Sequence, residues 1–155
     1  MDKIFFYGNI IVFWILIILT FRKKGLRLRN IFLWVFYSLY SLTYEVFFGE
    51  IFHLYYYISY SQSIAYILIA SYFLYPPAAL IYAIYMPDKG MRVVYTCVWI
   101  VLLLALELAS IYTKTIVLTG WRIIPWSIIT YIASYTLIFL IDKYLKNLLP
   151  DKKIC

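Results

Sequence analysis

Five long apolar runs, three of them without a charged side chain, set what this chain can fold into. They cover residues 4–21, 31–48, 64–86, 93–113 and 123–141. Each meets the length a helix needs to cross about 30 Å of hydrocarbon. The runs are continuous, whereas the strands of a membrane barrel alternate apolar and polar positions. Hydrophobic residues make up 66% of the chain, and mean hydropathy is +0.87. Soluble domains are only about half apolar, and a chain of 155 residues has too small an interior to hide this excess. The sequence predicts an all-α fold: an integral membrane bundle of five transmembrane helices, one transmembrane domain over residues 1–155.

The third run contains Pro76-Pro77. Proline removes a backbone donor and kinks a helix, so this span is expected to be bent. The carbonyls near Tyr72 and Phe73 then lack their usual partners. A hydroxyl such as Ser71, or a neighbouring helix, is expected to supply them.

Charge placement gives the expected orientation. Arg22, Lys23, Lys24, Arg27 and Arg29 crowd the first loop, Lys89 and Arg92 the third, and Lys143, Lys146, Lys152 and Lys153 the tail. With five crossings these segments share one side, and only Lys3, Lys114 and Arg122 occupy the other. The positive-inside rule then puts the N-terminus outside and the C-terminus in the cytoplasm of a cell-membrane protein. The net charge of +7 reads as topology and contact with anionic lipid, not as a nucleic-acid surface. The strongest basic cluster follows the first run, as in an uncleaved N-out anchor. Cys97 and Cys155 fall on the same half, so no disulfide is expected.

Two carboxylates interrupt the apolar runs. Glu45 and Glu107 each lie roughly 15 residues into a span that enters from the cytoplasm, about 22 Å along it at a helical rise of about 1.5 Å. They are therefore expected at one level, in the outer third of the membrane. Ser38, Ser41 and Glu45 share a helix face, as do Glu107, Ser110 and Lys114. Glu50, His53, Lys114 and Arg122 come from the same side. Together these six form a candidate ligand- or proton-binding set around an outward polar pocket, lined by tyrosines such as Tyr44 and Tyr57.

A plainer reading stands beside this one. Polar side chains also fix helices to each other, usually for about 1 kcal/mol. Glu50, Lys114 and Arg122 are equally solvated boundary residues, and a single His53 does not make a metal site. Ser127, Thr130 and Ser134 read as close helix packing. Tyr55-Tyr56-Tyr57, Trp121 and Trp126 read as an interfacial aromatic belt. No cofactor motif, catalytic nucleophile or metal set is evident, and an enzyme is not the favoured class.

The order of Glu45 and Glu50, Pro76-Pro77, Ile81-Tyr82, Pro87, Glu107 and Trp121-Arg122 resembles a family of small uncharacterised multipass membrane proteins of spore-forming Firmicutes. The resemblance covers residues 31–140. It implies an acidic residue early in the third span, where this chain has Ser71, and it implies no activity. Two functions stay open. One is binding or moving a small solute, ion or proton, which suits buried carboxylates because desolvation disfavours their charged form. The other is a structural or accessory role, with the helices assembling with copies of themselves or with another membrane protein. The absence of an internal repeat favours the second.

Overall fold

The computed structural model of the protein describes residues 2–87 and 90–149. Lys89, Lys152, Lys153 and Cys155 lie outside them. Helix α1 is Asp2–Lys24, and α2 is Leu28–Glu45, prolonged by a π-helical stretch Val46–Ile51. The third rod joins α3, Ser63–Ile69, through a π turn Ala70–Leu74, to α4, Tyr75–Tyr85. Helix α5 is Arg92–Tyr112. A π turn Ile123–Ser127 leads into α6, Ile128–Leu148. The five rods match the five apolar runs, and all are long and apolar enough to cross a membrane.

The boundaries follow local chemistry. Gly25 adopts a φ of 79° and donates to the Phe21 carbonyl at 2.8 Å, a left-handed turn that ends α1. Arg22, Lys23 and Lys24 occupy its last turn, where positive charge suits the helix dipole. Helix α5 ends less typically. Lys114 takes a φ of 58°, and the Thr115 N–H returns to the Ser110 carbonyl at 2.8 Å.

Helix α4 forms the centre. Every residue from Pro76 to Ala83 is buried, and α4 packs against α1, α2 and α6. Helix α5 lies at the periphery, with none of its residues fully buried. Large apolar side chains such as Ile11, Val98, Val101 and Ile132 face outward. In water such a surface would drive association; in lipid it has a solvent.

The carbonyls before the paired prolines find donors outside the third rod. Pro77 has no N–H to offer the Phe73 carbonyl four residues earlier, and the Trp14 indole of α1 donates to that carbonyl at 3.1 Å. The Ser71 carbonyl accepts the Ser41 hydroxyl of α2 at 3.2 Å. Neighbouring helices therefore supply these donors. The Ser71 hydroxyl itself is buried without a partner.

One feature adds to the helical architecture. The connectors after α2 and after α5 pair as an antiparallel ladder, β1 (Tyr55–Tyr57) with β2 (Ile116–Leu118), in the register Tyr55↔Leu118 and Tyr57↔Ile116. The Leu54 carbonyl accepts the N–H groups of Thr119, Gly120 and Trp121 at 2.9–3.0 Å, and the Thr119 hydroxyl bonds the His53 carbonyl. Alternation along β1 buries Tyr55 and Tyr57 and leaves Tyr56 half-buried. Tyr55 and Tyr57 are thus core residues, and the belt reading fails for them. Trp126 is exposed and Trp121 half-buried.

The two ends of the bundle differ in charge. At one end Arg29 pairs with Asp142 at 3.2 Å, and Lys146 with the same carboxylate at 2.7 Å. Lys24 stands over the Tyr85 ring and Arg92 over Phe139. The described basic residues of the first loop, the start of α5 and the end of α6 gather there. At the other end lie the strand pair and the beginning of α1, where the Thr115 hydroxyl donates to the Asp2 carbonyl at 3.0 Å.

Candidate binding cavity

A cavity of about 170 Å³ opens among α1, α2, α4, α5 and α6, at the end of the bundle that carries the strand pair. Tyr55, Tyr57, Ile116 and Leu118 of the two strands contribute to its wall. The expected outward pocket is therefore walled by paired backbone on that side.

Glu45 and Glu107 both line this cavity. Helix geometry delivers Glu45, because Ser38 and Ser41 lie on the same turn-by-turn face, and all three are buried. Glu45 Oε1 accepts the Tyr75 hydroxyl at 2.7 Å. Tyr75 and Tyr57 share a 2.5 Å contact. Since Tyr75 gives its proton to the carboxylate, Tyr57 is the donor there. The result is a relay from Tyr57 through Tyr75 to Glu45.

Glu107 has a matching relay on α6. Ser127 donates to its Oε1 at 2.7 Å and Tyr131 to its Oε2 at 2.8 Å. The two donors are four residues apart, one turn on a shared face. Ser127 in turn accepts the Trp121 indole N–H at 2.9 Å. Thr130 bonds Tyr44, and Ser134 bonds Tyr40, each at 3.0 Å. Ser127, Thr130 and Ser134 thus hold α6 to its neighbours, as their packing reading expects, and also line the cavity as a polar ridge.

The two carboxylates differ in one respect. Both oxygens of Glu107 are satisfied. Glu45 is 5% exposed, yet its Oε2 completes no hydrogen bond, and neither does the buried Tyr55 hydroxyl, although the two side chains interact. Burial, and then the nearby Glu45 charge, push the Tyr55 and Tyr57 hydroxyls well above the usual tyrosine range. Both keep their protons at neutral pH.

The other four expected site residues are elsewhere. Lys114 and Arg122 are exposed and do not line the cavity. Lys114 was expected on a face with Glu107 and Ser110, but α5 stops at Tyr112 and the left-handed turn takes Lys114 off that face. His53 is exposed, left-handed at φ 52°, with its ring toward Tyr60. Glu50 is half-buried with Oε1 unpartnered, but it too stays outside the lining. Sequence reasoning missed Tyr75, Ser127 and Tyr131 as partners of the carboxylates. The i, i+4 spacing of Ser127 and Tyr131 was the available signal. Comparison of the chain with family models, with curated proteins and with solved structures found no match, so a functional reading rests on the geometry of this cavity.

Proposed function

We propose that the chain is a multipass protein of the cell membrane that binds or moves a small solute, ion or proton through the cavity holding Glu45 and Glu107. The observation that carries this reading is that two carboxylates from different helices, Glu45 and Glu107, line one cavity without a described basic residue beside them. Polar side chains that serve only to fix helices are expected to complete their bonds. Glu45 Oε2, buried without a completed hydrogen bond, departs from that expectation. The outward apolar faces support embedding in lipid. The basic groups gathered at the Arg29–Asp142 end support an N-out, C-in orientation, with that end apposed to anionic headgroups. Of the positions that carry the family resemblance, Glu45, Glu107 and Trp121 line the cavity, and Glu50 and Arg122 do not.

Tryptophan emission tests the reading, because Trp121 reaches Glu107 through Ser127. The purified chain is titrated with acid and base beside Trp121→Phe, Glu45→Gln and Glu107→Gln. A pH-dependent signal that vanishes with Trp121→Phe and with either glutamine variant supports a titrating site. An unchanged profile in the double glutamine variant leaves the carboxylates a packing role only.

A further inference from the structure

We infer that the cavity takes a protonated amine, held by its N–H groups on Glu45 and walled by tyrosine rings. This rests on the cavity being a ligand site, as proposed above. Charge is the first argument. Two carboxylates line the cavity, and no described lining residue is Lys, Arg or His. Acidic groups taken out of water are stabilised by a positive partner or by a proton. Lys3, Lys114 and Arg122, the described lysines and arginines of this end, are exposed and off the lining. A cationic ligand would supply the missing charge, and an anion would be repelled.

Hydrogen bonding narrows the class. Glu45 and Tyr55 both line the cavity and interact with each other, and neither Glu45 Oε2 nor Tyr55 Oη completes a hydrogen bond, so a donor that enters between them finds two acceptors. An ammonium group brings three N–H donors; a quaternary ammonium brings none. The walls fit the same cation. Tyr44, Tyr55, Tyr57, Tyr75, Tyr131 and Trp121 all line the space, and aromatic faces attract cations through their quadrupoles. A bare metal ion fits less well. Hard cations ask for about six or more oxygen ligands, and here both Glu107 oxygens already accept hydroxyls. Room is also available, since 170 Å³ corresponds to on the order of ten water-sized positions. A ligand of several heavy atoms fits that space.

The test uses the full chain in lipid nanodiscs at pH 7.5 with three probes: n-butylamine, 1-butanol as its neutral counterpart, and tetramethylammonium. Calorimetry and tryptophan emission read binding. Saturable binding of butylammonium is expected, with butanol and tetramethylammonium at least tenfold weaker. Glu45→Gln, which keeps the side-chain shape, should weaken butylammonium tenfold or more, and Tyr55→Phe should weaken it less. Helical circular dichroism checks that both variants fold. Butanol or tetramethylammonium binding as tightly as butylammonium would overturn the amine, as would butylammonium binding that survives Glu45→Gln. In either case a block by Ser110→Phe, which fills the cavity from peripheral α5, keeps the cavity as a ligand site. Absence of binding by all three probes also overturns the amine, and the acid–base titration of Trp121 emission then decides whether a proton site remains.

Discussion

Trp14 of α1 donates its indole N–H to the Phe73 carbonyl at 3.1 Å, the carbonyl that Pro77 leaves free. Replacing Trp14 by Phe keeps most of the ring and removes the donor. The expected cost is about 1 kcal/mol, the scale of interhelical bonds in membranes. Pro77→Ala restores a local N–H for Phe73, so Trp14→Phe should cost less in that background. Detergent unfolding of the four chains of this cycle measures the coupling. Equal costs in both backgrounds would separate Trp14 from the kink.

Tyr75→Phe should be more damaging than Tyr131→Phe. Tyr75 gives Glu45 its 2.7 Å hydrogen bond, whereas Glu107 retains Ser127 after Tyr131 is lost. Stripping such a donor from a buried carboxylate costs about 1–3 kcal/mol. Thermal unfolding in matched micelles should rank Tyr75→Phe below Tyr131→Phe. The gap should close when Glu45 is also replaced by Leu.

Asp142 is 1% exposed, and its two basic partners are not equivalent. Lys146 is half in solvent and Arg29 is nearly buried. Lys146→Ala should cost at most about 1 kcal/mol, as exposed pairs do. Arg29→Ala should cost about 2 kcal/mol or more, less than the ~3–5 kcal/mol of a fully orphaned charge because Lys146 remains. Chemical unfolding at two salt concentrations separates them, since screening weakens only the exposed pair appreciably.

Orientation is measured by cysteine labelling after replacing Cys97 and Cys155 with Ser. Lys3, Lys23 and Gln62 are exposed, and a side chain at Gly90 meets nothing within 4 Å. An impermeant thiol reagent added outside cells should label cysteine at Lys3 or Gln62. It should not label cysteine at Lys23 or Gly90. Labelling at Lys23 from outside would reverse the orientation.

The parts of the fold visible in the sequence are those with a long-range pattern. Five apolar runs become five rods because each must satisfy its backbone internally. Ser38, Ser41 and Glu45 point inward together because helical periodicity leaves them no other common direction. Pro76-Pro77 announced freed carbonyls, although which helix would answer them depended on Trp14, far away in the chain. The strand pair had no such signal. Three residues are too few for alternation to show, and Tyr55-Tyr56-Tyr57 reads as apolar on both faces. Lys114 was misplaced because nothing marks a left-handed turn at a lysine, where glycine is usual. Asp142 was overlooked among its basic neighbours, and its partner Arg29 lies on another helix.

The ladder between Tyr55–Tyr57 and Ile116–Leu118 bears on how this bundle can move. It joins the end of the helix that carries Glu45 to the end of the helix that carries Glu107. Those two ends are stapled, while α5 elsewhere has no fully buried side chain holding it. Any displacement that parts the two carboxylates must therefore break backbone hydrogen bonds or swing about the staple as a hinge, which at the far end of α5 breaks the Thr96–Tyr82 bond and the Arg92–Phe139 contact.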